Sequence, residues 1–183
     1  MEESRSAFDD LPGDLMMWVL IVSELLVFGA GLAAFLSVRI TDPAGFAEAQ
    51  AQLHRASAGV NTMVLVTSGW LAALAVQAAE AGAVARTRLL MTGAALLGVV
   101  FLVIKGLEYA DMGAQGITTE THPFFTFYYL LTGFHAAHVV AGIVILALVG
   151  LRCRARSVET GTAFWHMVDL VWVILFPVLY LLG

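Results

Sequence analysis

The stretch FFTFYYLLTGFHAAHVVAGIVILALVGL, residues 124–151, contains no Asp, Glu, Lys or Arg. Crossing the hydrocarbon core of a bilayer takes about 20 mainly apolar residues in helical conformation, and this stretch exceeds that length. A backbone exposed to lipid must satisfy its own hydrogen bonds, which a single helix does and a single strand does not. The stretch therefore predicts a transmembrane helix.

Four further stretches meet the same criterion of length and apolarity. They cover residues 15–38, 58–79, 89–107 and 164–182. We therefore predict an all-α fold, a polytopic membrane bundle of five transmembrane helices, in a single domain that covers residues 1–183.

The composition supports lipid as the solvent for much of the chain. Of its 183 residues 60% are hydrophobic and 13% are charged, whereas a soluble domain is about half apolar and a quarter charged. The net charge is −5 and no basic stripe is present, so we predict no nucleic-acid partner. Cys153 is the only cysteine, which excludes an intramolecular disulfide and a thiolate metal cluster.

The N-terminal segment, residues 1–14, is acidic, and Arg5 is its only basic residue. A cleavable signal peptide has a basic n-region before a short apolar core. We therefore expect no cleavage, with the first helix as a permanent anchor.

The connections between spans differ in positive charge. One side of the membrane carries Arg5, Arg86, Arg88, Arg152, Arg154 and Arg156. The other side carries Arg39 and Arg55, with Lys105 at its edge. Because excess Lys and Arg mark the cytoplasmic face, we predict a cytoplasmic N-terminus and a periplasmic C-terminus.

The predicted periplasmic connections are residues 41–57 and 108–123. The first resembles a short amphipathic helix at the interface, with Phe46, Ala47, Ala51 and Leu53 on its apolar face.

Two features predict how the helices pack. Gly133, Ala137 and Ala141 repeat every four residues, a pattern that lets a neighbouring helix approach closely. Pro177 lies inside the last span, where it should kink the helix or mark its looser end.

Three polar side chains are expected in the inner half of the membrane, namely Glu24, His138 and Asp169. A carboxylate at mid-membrane costs about 2.5–3.5 kcal/mol, so such groups face protein or water. We expect the three to share one cluster. Glu24 has two interpretations: a carboxyl that exchanges protons or binds a lipid headgroup, or a protonated carboxyl that bonds a neighbouring helix.

His135 and His138 are three residues apart and share a helix face. Metal or haem ligation would need partners from other helices, and only His166 is available on another span. We therefore predict no metal site and no haem site. Each buried histidine should instead bond Glu24 or a backbone carbonyl, since a buried imidazole needs a partner.

Two more pairs have the same three-residue spacing. His166 and Asp169 should form a histidine–carboxylate hydrogen bond, which is structural or, alternatively, part of a proton relay. Lys105 and Glu108 resemble an interfacial ion pair, which would contribute little to stability.

Five motifs, one in each span and in the same order, resemble subunit III of the haem-copper respiratory oxidases. The run LTGFHAAHVVAG at 131–142 resembles that family's "GxHxxHV…G" helix, and FWHMVDLVW at 164–172 resembles its "WHxxDxxW" helix. The others are Ser23–Glu24 ("SE…F"), Asn61–Thr62 with residues 67–69 ("NTxxLxTS"), and Glu108–Tyr109 ("xxEY").

The resemblance implies an accessory subunit without haem, copper or catalytic residues of its own. In that family subunit III packs against the catalytic subunit, holds phospholipid, and supports proton uptake and stability during turnover. Glu24 then matches the buried glutamate and Glu108 the helix-end glutamate. The other matched polar positions are His135, His138, His166 and Asp169.

Long members of the family have seven helices, and this chain lacks the first two. It resembles the five-helix members and is nearest the NorE-type protein associated with nitric oxide reductase. The expected partner is the catalytic subunit of a haem-copper oxidase or nitric oxide reductase in the bacterial cytoplasmic membrane. The absent helices form one wall of the family's lipid-filled cleft.

Two other functions fit part of the pattern. Glu24 and Asp169 would suit a stand-alone proton-conducting or small-solute transporter, although no broken-helix pair or inverted repeat is present. His135, His138 and His166 would suit a b-type cytochrome, which would have a Soret band.

Overall fold

A computed structural model describes residues 15–182. The acidic segment, residues 1–14, lies outside the described residues. The expectation that it is not cleaved therefore stays a prediction. Six helices are present in the described range: α1 (Leu15–Arg39), α2 (Pro43–Ala51), α3 (Arg55–Glu80), α4 (Val84–Ala114), α5 (Pro123–Arg152) and α6 (Ala155–Tyr180). Five of them, all but α2, are long and apolar enough to cross a membrane. The all-α prediction of five spans is therefore confirmed.

Two helices extend further than their apolar stretches. α4 covers Val84–Ala114 and α6 begins at Ala155, whereas apolarity alone predicted 89–107 and a start at 164. The reason is that hydropathy marks only the hydrocarbon-crossing part, while helical hydrogen bonding continues through polar turns at the headgroup level. Glu108 accordingly lies inside α4, and the prediction that it begins a loop is wrong.

The spans pack as a ring of four helices with a fifth beside it. α3 packs against α4 and α6, and α5 also packs against α4 and α6. α1 packs against α5 and α6 and buries only Phe28 and Phe35 among its described side chains. Most of the surface of α1 is therefore left to lipid or to another protein.

α2 lies beyond the end of α1 and confirms the predicted short helix. Asp42 caps its N-terminus, since the backbone N–H of Gly45 donates to Oδ1 at 3.1 Å. The buried side chains are Phe46, Ala49 and Gln50, followed by Leu53, whereas Ala51 is exposed. The predicted apolar face was thus wrong in part, because packing against the bundle selects the helical spacing of three, four and seven residues.

Trp165 of α6 fixes the spacing of the ring. A Cβ added to Gly142 of α5 would lie 2.5 Å from Trp165 Cε3, and one added to Gly98 of α4 would lie 2.7 Å from Cη2. The indole Nε1 donates to Ser68 Oγ of α3 at 3.0 Å. One side chain thereby contacts all three other helices of the ring.

The predicted small-residue stripe is not used in this packing. Ala137 and Ala141 are exposed, and Gly133 is half-buried. The close approaches occur at Gly142 and Gly98 instead, because the face of α5 that meets the ring is set by its bulky buried side chains. α6 continues through Pro177 to Tyr180, and a kink at that proline stays a prediction.

Candidate functional site: polar groups inside the bundle

Lys105 and Glu108 of α4 lie in the interior, where they are 2% and 5% exposed. Lys105 Nζ is 3.1 Å from Glu108 Oε2, 2.9 Å from the hydroxyl of Tyr128 on α5 and 2.8 Å from the hydroxyl of Tyr180 on α6. Both tyrosine hydroxyls donate to Glu108 Oε1 at 2.8 Å. We refer to these four residues as the Lys105 network.

The Lys105 network satisfies its own hydrogen-bonding capacity. An ammonium group has three protons to donate, and here it meets three acceptors. Each hydroxyl accepts from Lys105 and donates to Glu108, so the negative charge is bonded from three directions. The rings of Tyr109 and Trp172 add cation–π contacts, with Nζ 5.2 and 5.4 Å from their centroids.

The expectation of a weak interfacial ion pair at Lys105 and Glu108 is therefore wrong. Sequence placed the pair at a span end, but α4 continues beyond it and α5 and α6 cover it. Tyr128 and Tyr180 were missed as members of the site. The available signal was Lys105 itself, since a lysine within an apolar span needs partners from other helices.

Glu24 of α1 and His138 of α5 meet, as predicted for a histidine bonded to Glu24. His138 Nε2 lies 3.1 Å from Glu24 Oε2, and Nδ1 donates to the carbonyl oxygen of Phe134 at 2.8 Å. Glu24 Oε2 has no aligned hydrogen bond to the described residues. The contact is therefore a close approach of two polar groups on neighbouring helices.

His135 does not behave as predicted. It is fully buried, and neither ring nitrogen has a hydrogen-bond partner among the described residues. Its ring instead stacks on Trp172, with centroids 5.2 Å apart, and meets the edge of Phe101 at 5.5 Å. The expected bond to Glu24 or a carbonyl is absent because the ring lies between aromatic side chains of α4 and α6.

His166 and Asp169 of α6 are neighbours, with Nδ1 and Oδ2 3.8 Å apart. The carboxylate sits against α3, since a Cβ on Gly69 would lie 2.2 Å from Asp169 Oδ2. Asp169 has no ion pair or hydrogen bond to Glu24 or His138 among the described contacts. The predicted three-residue cluster is thus divided between the α1–α5 and α3–α6 contacts.

A cleft of about 310 Å³ opens between α1 and α6. Its apolar walls include Met17, Ile21, Met167 and Leu170, and Glu159 and His166 are among its polar lining residues. A second hollow shares Met17 and Thr160 with the cleft and is lined by Arg154, Arg156 and Ser157. We call these two adjoining hollows, the first mainly apolar and the second with basic lining residues, the α1–α6 groove.

Among residues 15–182, no three His, Cys, Asp or Glu side chains converge in a way that could hold a metal ion. The absence of a metal or haem site in the protein stays a prediction.

The fold and these contacts define a multi-pass membrane protein whose polar groups mostly join its own helices. The family model described as cytochrome c oxidase subunit III matches residues 13–183. The chain therefore belongs to the cytochrome c oxidase subunit III family of the haem-copper oxidases, and the predicted family is confirmed.

Similar proteins carry the same description. A cytochrome c oxidase subunit 3 of Corynebacterium diphtheriae is 32% identical, with 88% of this chain and 84% of that protein covered. One of Synechocystis is 30% identical, with 92% and 76% covered. A heme-copper oxidase subunit I+III of Aeropyrum pernix is 29% identical over 90% of this chain and 22% of that protein.

Proposed function

We propose that this chain is a single-domain accessory subunit of an oxygen-reducing haem-copper oxidase in the bacterial cytoplasmic membrane. It brings no redox centre and acts by packing against the catalytic subunit. The observation that carries the proposal is the family match over residues 13–183, which includes the whole described bundle. The Aeropyrum relative supports the partner, since its name joins subunits I and III.

The first contribution of the subunit is mechanical stability. The Lys105 network joins α4, α5 and α6 through hydrogen bonds of 2.8 to 3.1 Å. Truncating one partner of such a buried charge pair costs several kcal/mol, so the network holds the relative positions of these helices. A bundle held in this way presents a fixed surface to its partner during turnover.

The second contribution is to hold phospholipid in the α1–α6 groove. The apolar part between Met17 and Leu170 suits an acyl chain, and Arg154 and Arg156 at the adjoining end suit a phosphate. The groove opens beside a helix that is mostly exposed, so lipid enters from the bilayer.

The third contribution is to support proton uptake through the Glu24–His138 pair. His138 Nε2 and Glu24 Oε2 lie 3.1 Å apart, and the two side chains are 15% and 21% exposed, so a titratable imidazole and a titratable carboxyl are next to each other on α5 and α1. This pair of titratable groups is the feature that also favours a stand-alone conductor as the alternative function. A proton flux through vesicles containing the chain alone, abolished by Glu24→Gln, would establish that alternative.

The proposal is tested by tagging the chain at its C-terminus and purifying it from native membranes in mild detergent. We expect a haem-containing catalytic subunit to accompany it, and oxygen consumption that inactivates faster during turnover once the chain is removed. Nitric oxide consumption by the same preparation, without oxygen consumption, would assign the NorE-type partner instead. Purification of the chain free of any haem protein would refute the accessory role.

A further inference from the structure

A hollow of about 290 Å³ lies between α4 and α5, close to the start of α4 and the end of α5. Its floor is formed by Met91 and Leu146, which are 1% and 0% exposed. The lining continues with the smaller Thr92, Ala95 and Ala147. Small side chains on both helices therefore leave a recess in the surface, which we call the α4–α5 hollow.

The α4–α5 hollow is elongated along α4. Its lining on this helix runs from Arg88 to Ala95, a distance of about 10 Å at 1.5 Å per residue. Apart from Arg88 and a threonine, the lining side chains are apolar. Large exposed aliphatic residues adjoin the lining in sequence, namely Leu89, Leu96 and Leu148. The recess therefore suits a hydrocarbon chain that lies along the helix.

Arg88 lies at one end of the α4–α5 hollow and reaches across it. Its Nη2 donates to the backbone oxygen of Leu151 at 3.2 Å, so the guanidinium of α4 meets the last turn of α5. A guanidinium has five N–H donors, and this is its one side-chain hydrogen bond among the described residues. No Asp or Glu is among the residues that line the hollow. Donors therefore remain for an anion at this end.

We infer that the α4–α5 hollow binds a phospholipid, with an acyl chain against Met91 and Leu146 and the phosphate on Arg88. The lipid comes from the leaflet on the side of the α3–α4 and α5–α6 connections, which is the predicted cytoplasmic side. This site shares no lining residue with the α1–α6 groove among the described residues. It needs only the bundle and the bilayer, so it does not depend on the catalytic subunit.

Charge favours a phospholipid over a helix of another protein. Arg88 directly precedes the apolar stretch 89–107, which places its guanidinium at the level of the lipid phosphates. Arg86 and Arg152 are exposed on the same side and add positive charge there. A protein helix would have to bring a carboxylate to this level, whereas every phospholipid of the leaflet brings a phosphate next to an acyl chain.

A photoactivatable lipid tests the site in the full chain. The chain is delipidated in maltoside micelles and incubated with phosphatidylglycerol that carries a diazirine in one acyl chain. Illumination is followed by mass spectrometry of the labelled peptides. Unlabelled phosphatidylglycerol, diacylglycerol with the same acyl chains, and inorganic phosphate serve as competitors.

We expect label on residues 88–95 and 146–151, displaced by unlabelled phosphatidylglycerol. Diacylglycerol should need about a fivefold higher concentration, which is the contribution of one arginine to phosphate binding at a membrane surface. Equal competition by diacylglycerol would overturn the role of the phosphate. Displacement by inorganic phosphate would show an anion site without an acyl chain, and absence of label from both segments would exclude the lipid altogether.

Two arginine variants test the phosphate contact. Arg88→Gln should lower the labelling of both segments about fivefold. Arg86→Gln is the matched control, since Arg86 is exposed on the same helix and does not line the hollow. Equal loss in the two variants would show unspecific attraction of the lipid to positive charge and would overturn the inference. Label on the α1–α6 groove should be the same in both.

A second pair of variants tests the acyl-chain contact and keeps the Arg88–Leu151 hydrogen bond. Ala147→Leu fills the hollow and should lower the labelling about fivefold or more, comparable to the arginine variant. Val144→Leu adds bulk to an exposed position of α5 outside the lining and should leave it unchanged. Unchanged labelling in Ala147→Leu would contradict the inference, and this variant decides where Arg88→Gln unfolds the chain.

The same labelling in native membranes separates this inference from the proposed function. Label in the isolated chain but not in the complex that purifies with the haem protein would show that another subunit covers the hollow, and would overturn the lipid assignment. Purification without any haem protein would count against the proposed function, while label at residues 88–95 and 146–151 would still support the lipid site.

Discussion

At the scale of single residues, Lys105 explains how a charge is kept inside an apolar bundle. Burial removes water from the ammonium group, and this cost is offset only if every proton finds an acceptor. Glu108, Tyr128 and Tyr180 supply one acceptor each. The same hydroxyls donate to Glu108, so the tyrosines hydrogen-bond both members of the ion pair. The network is therefore sensitive to the loss of any one partner.

Lys105→Met should destabilise the bundle by about 3–5 kcal/mol, because it leaves the Glu108 carboxylate buried without its counter-charge. The measurement is reversible unfolding in mixed micelles. Lys105→Met combined with Glu108→Gln is the control, and it should recover most of the loss because no uncompensated charge remains. Equal destabilisation by the single and double variants would show that packing, rather than charge, explains the effect.

The sequence predicted only part of this site, and the reason is separation along the chain. Glu108 follows Lys105 by one helical turn, so spacing identified the pair. Tyr128 and Tyr180 come from other spans, and nothing in a span's own periodicity says which aromatic hydroxyl faces a lysine on another helix. The Glu24–His138 contact was predictable because both are rare polar groups at similar depth. His135 was mispredicted because its ring lies against Phe101 and Trp172 of other helices, which spacing along α5 does not reveal.

Asp42 joins two helix caps outside the spans. Its Oδ1 accepts from Gly45 N–H, and its Oδ2 lies 3.3 Å from Nε2 of His122, whose Nδ1 accepts from the N–H of Phe124. The hydrogen bond from the Gly45 N–H is the larger cause, and the hydrogen bond with His122 the smaller one, that lower the pKa of Asp42 below its usual range. The carboxylate therefore holds the start of α2 against the start of α5.

The lowered pKa of Asp42 predicts how stability depends on pH. A carboxyl whose folded pKa lies below its unfolded value, about 3.9, contributes stability above that value, and the contribution is lost as the pH falls through the folded pKa. We expect the melting temperature to fall less between pH 5 and pH 3 (approximate bounds) in Asp42→Asn than in the wild type. Asn still caps a helix, so identical acid sensitivity would exclude Asp42 as a source.

At the scale of helices, hydropathy predicted which segments cross the membrane but not where the helices end or which faces meet. α4 and α6 extend past their apolar stretches because polar turns remain helical outside the hydrocarbon. The small-residue pattern on α5 was predicted to let a neighbouring helix approach closely, yet Ala137 and Ala141 are exposed within this chain. A four-residue repeat shows that its residues share one face of a helix. Only the three-dimensional packing of the helices decides whether that face is buried.

Gly142→Ala tests the packing of α5 against α6. The added Cβ would lie 2.5 Å from Trp165, and moving the indole would break its hydrogen bond to Ser68. We expect a loss of about 1–3 kcal/mol, typical of overpacking, measured as a shift in unfolding midpoint. Gly133→Ala in the same helix is the control, since its Cβ would meet only the Tyr109 hydroxyl at 4.0 Å. Equal effects would show that helix propensity, rather than Trp165, dominates.

At the scale of the whole molecule, the arrangement of positive charge predicts the orientation in the membrane. With five predicted spans, Leu15 and Tyr180 are expected on opposite sides of the membrane. The connections at the α3–α4 and α5–α6 ends share one side, where Arg88 donates to the backbone oxygen of Leu151 at 3.2 Å. The basic residues near Cys153 make this the predicted cytoplasmic side. The α4–α5 connection, which includes Thr119, then faces the periplasm.

Labelling with a membrane-impermeant maleimide tests this orientation in intact spheroplasts. Thr119 is exposed, so Thr119→Cys in a Cys153→Ser chain should react from outside, whereas native Cys153 should react only after the membrane is opened. The expected difference in labelling before opening is about tenfold, since the bilayer excludes a charged reagent as it excludes charged side chains. The reverse pattern would place Arg152, Arg154 and Arg156 in the periplasm and invert the bundle. The basic end of the α1–α6 groove would then meet the outer leaflet, so the same labelling decides which leaflet supplies its lipid.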